Sequence, residues 1–330
     1  MFAIEVDNLT KKFGELTAVD SISIKVKEGE LLGLLGPNGA GKTTTISMLS
    51  TLLKPTAGTA RISGFEIAKE AGYVRENIGI VFQEPSLDDQ LTGFENLDFH
   101  SRMYGLSKAE RAVRISKMLG LVDLTDKAKV LVENYSGGMK RRLEIARSLI
   151  HKPKVLFLDE PTIGLDAQTR RHIWDYIKKL NREEKVTIVL TTHYMEEADF
   201  LCDRVAIIDY GKIVAINTPK NLKKLVEADV ILLEIQIKNI KFQKFLEYVK
   251  KISWVRRIRN YNGFLALNVL DAERKIPKIM NIARHFQVRV NSVNLHKPSL
   301  EDVFLRFTGR TIREEECKPE KGGHRLIPLK

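Results

Sequence analysis

Cysteine is almost missing from this 330-residue chain, which holds Cys202 and Cys317 and no others. They stand far apart, with no CxxC pair and no neighbouring histidine. This excludes a disulfide scaffold and a cysteine-based metal site, and leaves two free thiols as expected in a reducing cytosol. Long apolar runs are missing too: no stretch approaches the roughly 18 consecutive residues that a bilayer-crossing helix needs. The opening Met1-Phe2-Ala3-Ile4-Glu5-Val6-Asp7 lacks the basic, apolar, small-residue succession of a secretory leader, so none is expected. No internal repeat is visible. What remains is a globular composition, 43% hydrophobic and 29% charged, with length for one large domain and a small one.

Excess charge is absent from the front two thirds. Residues 1–220 hold 31 Lys+Arg against 30 Asp+Glu, whereas 221–330 hold 23 against 12. The formal net charge of +12 therefore belongs to the back third. Such asymmetry suits either a solubilising face or an anionic neighbour, such as lipid headgroups, nucleic acid or an acidic protein surface.

Hydrophobic periodicity sets the organisation. Residues 3–27 read as a strand, a turn at Lys11-Lys12-Phe13-Gly14, and a second strand alternating at period two. An apolar strand over 31–35 leads into a helix that residues 54–59 break. A short strand follows at 60–63, then a buried strand at 78–83 with a polar exit. Across 92–151 apolar residues recur at helical spacing between glycines, which predicts a helical insert. Strands return over 155–160, 186–190 and 205–209, with a helix over 169–180. Apolar strands alternating with helices predict an α/β core covered on both faces. A boundary is expected near Thr218-Pro219-Lys220, with a connecting helix over 221–228. Strands over 230–237, 254–259, 264–269 and 288–294 and helices over 242–249 and 272–285 follow. Their β-α-β-β-α-β order predicts a small ferredoxin-like α+β domain over 221–310. Residues 311–330 are expected to be a loosely ordered tail.

One run carries the chemistry: Gly36-Pro37-Asn38-Gly39-Ala40-Gly41-Lys42-Thr43, between a strand and the helix opening at Lys42. Glycines let successive N–H groups curl round an anion, and the helix N-terminus adds partial positive charge. The lysine reaches outer phosphates and the threonine hydroxyl serves Mg²⁺. Four segments follow in order. Gln83 ends a buried strand. Ser136-Gly137-Gly138-Met139-Lys140-Arg141-Arg142 opens a basic helix, a second anion-binding start with Ser136 as cap. Asp159-Glu160 ends an apolar strand and runs into residues 161–166. Thr191-Thr192-His193 ends the next strand. In a doubly wound sheet these carboxyl ends converge on one edge.

These segments, in this order, resemble the ATP-binding subunit of ABC transporters over residues 3 to about 220. Gly36 to Thr43 matches the Walker A loop, Gln83 the Q-loop and Ser136 to Met139 the signature. Residues 155–160 match Walker B with its adjoining glutamate, Gly164-Leu165-Asp166 the D-loop, and His193 the switch histidine. Tyr135 departs from the family's usual leucine, a change read as packing beneath the signature helix. The segment 297–309 resembles the C-terminal region of daunorubicin-resistance-like exporters, although Pro298-Ser299-Leu300-Glu301 is also an ordinary helix start.

The resemblance implies an ABC-type P-loop NTPase fold with ATP and Mg²⁺ as cofactors. Gly36, Pro37, Asn38, Gly39, Ala40, Gly41, Lys42, Thr43 and Thr44 would hold the phosphates, with Phe13 against adenine. Thr43, Gln83 and Asp159 would organise the metal, Glu160 would polarise the attacking water, and His193 would orient it. Ser136, Gly137 and Gly138 would grip the ATP of a second copy in a head-to-tail homodimer. A separate permease would dock near Gln83 and residues 92–97, placing the chain at the cytoplasmic face of the membrane, with possible contact of the basic back domain to anionic lipid. No nucleic-acid partner is expected. Translation and resistance factors of this class carry two cassettes per chain, and only one is present. Chromosome-structure relatives insert a long coiled coil, whereas Gly41 and Ser136 are 95 positions apart. A soluble ATPase with a resistance or regulatory role is the alternative to transport.

Overall fold

Residues 1–226, 229–235, 240–261 and 264–309 are described by the computed structural model, which divides into two units, Met1–Pro219 and Lys220–Arg310. The first opens with a hairpin of β1 (Phe2–Phe13) and β2 (Leu16–Lys27), where Ile22, Ile24 and Val26 are buried and their neighbours exposed, the period-two pattern of a one-faced strand. The turn expected at Lys11–Gly14 is corrected. Lys11, Lys12 and Phe13 pair with Val19, Thr17 and Leu16, so β1 continues through them, and the chain reverses at Gly14, whose φ is 57°. Polar residues at the solvent-facing end of the strand had the composition of a turn.

The chain continues through β3 (Leu31–Leu35), α1 (Lys42–Leu49), β4 (Ala57–Ile62), β5 (Phe65–Glu66), α2 (Ala71–Asn77) and β6 (Ile78–Val81). The helical insert holds α3 (Gly93–Met103), α4 (Lys108–Leu121) and α5 (Gly137–Leu149). After it come β7 (Val155–Asp159), α6 (Ala167–Glu184), β8 (Thr187–Thr192), α7 (Met195–Leu201), β9 (Arg204–Asp209) and β10 (Lys212–Asn217). The central sheet has the order β10-β9-β3-β8-β7-β6, parallel from β9 to β6. Every residue of β3, β7 and β8 is buried, as covering on both faces requires. A second, antiparallel sheet has the order β2-β1-β4-β5. Its Ile4, Leu9 and Ile62 share a core with Ile46 and Met48 of α1 and Phe157 and Val189 of the central sheet.

Caps fix the helix starts near the site. Thr92 with Glu95 and Ser107 with Glu110 form capping boxes on α3 and α4. Ser136 caps α5, and Asp166 caps α6 by accepting from Thr169 N at 2.9 Å. Each such cap stabilises by about 1 kcal/mol. Asp166 also explains why α6 starts at Ala167, ahead of the expected Thr169.

The second unit contains α8 (Pro219–Leu225), β11 (Asp229–Ile235), α9 (Ile240–Lys250), β12 (Val255–Tyr261), β13 (Phe264–Val269), α10 (Ala272–His285), β14 (Val290–His296) and α11 (Leu300–Thr308). Its sheet is antiparallel throughout, in the order β12-β13-β11-β14. Ile231, Leu233, Leu265 and Leu267 pack against Phe242 and Phe245 of α9 and Ile279 and Ala283 of α10. Ser299 and Asp302 form a capping box on α11. The tail over 311–330 lies outside the described residues.

The insert holds a histidine tuned by its surroundings. On α3, His100 meets the Tyr104 ring at 5.2 Å, and Tyr104 stacks on His151 at 3.9 Å. Burial, then the nearby Arg147 and His151, lower the His100 pKa to about 4. The folded chain therefore binds fewer protons than the unfolded one between pH about 6.5 and about 4, and stability contributed by neutral His100 is lost as pH falls through that window. His100→Gln should flatten this part of the stability profile. Thermal melts of both proteins from pH 7 to pH 4 check it, and parallel slopes would refute the assignment.

Candidate active site

The phosphate-loop run bridges the end of β3 and the start of α1. Gly36 N donates to Thr192 O at 3.2 Å, which ties the loop to the end of β8. A Cβ on Gly36 would stand 2.3 Å from Ile208 O, and one on Gly41, where φ is 98°, 2.4 Å from Ala18 O. Glycine alone fits both places. Pro37 and Ala40 are buried, Asn38 and Gly39 form the exposed rim, and Thr44 is half-buried. No side chain caps α1, so its leading amides and its dipole are left for an anion. Lys42 is buried at 4% exposure, with Nζ donating to Gly36 O at 2.8 Å and Pro37 O at 3.0 Å. The ammonium is thus folded over the loop it would share with a phosphate.

Opposite stands the end of β7. Asp159 pairs with Thr191 across the β7–β8 register, and the Thr191 hydroxyl donates to Asp159 Oδ1. The exposed Thr43 hydroxyl reaches the same oxygen at 3.2 Å. At Glu160 the strand breaks with φ of 46°, a left-handed conformation that costs a non-glycine residue free energy and clusters at functional sites. Glu160 N donates to Thr191 Oγ1 at 2.9 Å. Its carboxylate then bridges two side chains: Oε1 lies 3.2 Å from Lys42 Nζ and Oε2 lies 3.0 Å from His193 Nδ1.

Burial pushes the Glu160 carboxyl up, but the His193 hydrogen bond and the Lys42 charge outweigh it, and the group titrates below the usual carboxylate range. It is an ionised base at neutral pH. Burial also holds the Lys42 ammonium below the usual lysine value, against the opposing pull of Glu160 and Asp159. Glu160 can therefore take a proton from a water lodged between it and a phosphate, with His193 fixing the carboxylate's direction. Thr43 and Asp159 offer the hard oxygen donors that suit Mg²⁺, which takes one or two protein oxygens and completes its shell with phosphate and water. No cluster of three or more His, Cys, Asp or Glu suited to a metal occurs among the described residues, and this donor set fits a cation that arrives with its phosphates.

Lys42, Thr43, Asp159, Glu160 and His193 are thus brought into one network, and the other candidates stand outside it. Gln83 is exposed, and its side chain has no hydrogen-bond partner among the described residues. Phe13 ends β1, 48% exposed, with Lys11 Nζ 5.1 Å from its ring centroid. Ser136 accepts from Met139 N at 3.3 Å, Gly137 is exposed, and Gly138 is buried against Thr169. Tyr135 is buried, donates to Lys127 O at 2.7 Å and packs on Gly93, so its departure is accommodated by packing. Sequence reasoning missed two participants. Thr191 was legible only as a hydroxyl at a buried strand's end. Arg141 was one cation in a basic helix start, yet it is buried and bound to the backbone of Asp159 and Glu160.

The ABC transporter family profile matches residues 19–163. The linearmycin resistance ATP-binding protein of Bacillus subtilis (strain 168) is 40% identical over 313 residues, covering 94% of this chain and all of the relative. A daunorubicin resistance ATP-binding protein of Streptomyces coeruleorubidus is 37% identical over 324 residues, covering 96% of this chain and 98% of its own. Among solved structures, a dimeric ATP-binding cassette in a post-hydrolysis state, bound to ADP and Pi, superposes with a TM-score of 0.59. It is 31% identical and covers 65% of this chain and 98% of the cassette. With identity at this level running the length of both proteins, the chain belongs to the ATP-binding proteins of ABC transporters, and it is an ATPase.

Proposed function

We propose that two copies of this chain clasp two ATP molecules head to tail and that hydrolysis drives export of a hydrophobic, drug-like or lipid-like compound through a separate permease at the cytoplasmic face of the membrane. The observation that carries this reading is the separation of two anion-binding helix starts. The Lys42 loop holds Glu160 and His193 in hydrogen-bond reach, whereas the exposed Gly137 opens α5 outside that network. A second copy supplies the missing half of each site. The relatives' names, resistance to linearmycin and to daunorubicin, support export of such compounds. No described helix is long and apolar enough to cross a membrane, which agrees with a separate pathway subunit. Exposed Phe99 and Met103, four residues apart on one face of α3, offer that subunit an apolar contact.

On ATP binding, Lys42 exchanges the carbonyls of Gly36 and Pro37 for the β- and γ-phosphates, and the loop amides close round them. Phe13 stacks on adenine. Thr43, Asp159 and Gln83 would hold Mg²⁺, which would offset the phosphate charge. Glu160 takes the proton of the attacking water while His193 holds that carboxylate and the γ-phosphate in line. Loss of the γ-phosphate removes the anion that both helix starts share, and the pair opens. The test is daunorubicin accumulation in cells that express the chain together with a membrane-spanning permease with which it co-purifies. Wild type should lower accumulation several-fold against Glu160→Gln, and equal accumulation would defeat the export reading.

A further inference from the structure

We infer that Arg141 is a positioning residue that locks the catalytic segment, the signature helix and the Gln83 segment into one moving part. The inference rests on the head-to-tail reading above and concerns how its two ATP sites communicate. Arg141 lies one turn into α5, whose first residues would meet the partner's nucleotide. It is buried at 7% exposure, where an unpaired guanidinium would be costly. All five of its N–H donors are used. Nε donates to Pro161 O at 2.7 Å, and Nη2 to Asp159 O at 3.1 Å and Glu160 O at 3.0 Å. Nη1 donates to Phe82 O and to Glu144 Oε2, the latter at 3.1 Å.

The opposite side of this cluster grips the same segment. Glu144, buried at 1% exposure, accepts from Ser86 N at 2.9 Å through Oε1. Arg147 donates to the Ser86 carbonyl and hydroxyl. Gln83 therefore lies between two anchors, Phe82 and Ser86, both held by α5, while the same guanidinium holds the carbonyl of the residue whose side chain acts as base. The planar fork matters here: it reaches four backbone carbonyls in three directions, which a lysine's point charge cannot do. When the permease moves the Gln83 segment, or the partner's ATP moves the start of α5, the Glu160 backbone moves with it. Neither Arg141 nor Glu144 is among the residues assigned to the nucleotide, and both bind only protein atoms, so their loss acts on geometry and not on binding.

Removing Arg141 alone strands the Glu144 charge, so the decisive variant is Arg141→Met with Glu144→Gln, with Arg141→Lys beside it. ATP hydrolysis by the full chain is measured against ATP concentration, with thermal melts and nucleotide affinity on the same preparations. The double variant should melt as a folded protein and bind ATP within about threefold of wild type. Its kcat should fall by about 10- to 100-fold, as a small misplacement of a reacting group does, with KM little changed and the Hill coefficient moved toward 1. Arg141→Lys should keep the fold but not restore kcat or cooperativity. Wild-type kcat and cooperativity in the double variant would overturn the inference, and so would a kcat loss that matches only the unfolded fraction. If Glu160→Gln fails to dimerise with ATP, the head-to-tail reading is what fails. If it dimerises and the double variant turns over normally, the fault lies with Arg141 alone.

Discussion

Glu160→Gln will bind ATP with undiminished affinity, hydrolyse it about 10²- to 10⁴-fold more slowly, and accumulate as a stable dimer. Gln preserves the shape of the side chain and can still hydrogen bond to His193 and Lys42, which sit 3.0 and 3.2 Å from the carboxylate oxygens. What it cannot do is accept a proton, and a positioned general base contributes a rate factor of that order. It also removes a negative charge beside the γ-phosphate, so the ATP-held pair gains stability as its exit by hydrolysis closes. Size-exclusion chromatography with saturating ATP and Mg²⁺, run beside a phosphate-release assay, reads both effects. A slow variant that remains monomeric would refute the role given to the γ-phosphate as the joint between copies.

Much of this site was legible because its elements are local. Gly36 to Thr43 announces itself by spacing, and β3, β7 and β8 carry apolar runs (Leu31 to Leu35, Val155 to Leu158, Ile188 to Leu190) because both faces of the sheet are covered. β7 and β8 end in Asp159 and Thr192 at the same edge, so Asp159, Glu160 and His193 could be placed together from the sequence. The β1–β2 turn was harder, since Lys11 and Lys12 lie at the solvent-facing end of β1, where composition mimics a turn. Hidden altogether were contacts whose partners are backbone atoms. Arg141 binds four carbonyls from two distant segments, and a carbonyl leaves no trace in a sequence. The left-handed φ of Glu160 was equally silent, because a non-glycine residue gives no sign of the strain its neighbours impose.

Gly137→Asp separates the two helix starts, and its expected effect is as large. Gly137 is the first residue of α5 and exposed, and a Cβ there would meet Leu165 Cδ2 at 3.6 Å, an ordinary contact. An acidic residue in a helix's first turn is favourable by about 0.3–1 kcal/mol, so the fold should melt no lower than wild type. For the partner's phosphate the same carboxylate is repulsive. Two like charges about 4 Å apart near a protein surface oppose each other by about 4 kcal/mol, roughly a thousandfold in affinity. The isolated variant should therefore bind ATP at its own loop as wild type does, yet fail to dimerise and fail to hydrolyse. Placed in the Glu160→Gln background, it should abolish the ATP-dependent dimer. The informative quantity is the affinity of the monomer for ATP, read by fluorescence titration. Were it to fall by the same thousandfold, both helix starts would be serving a single nucleotide inside one copy, and a shared site between copies would have no basis.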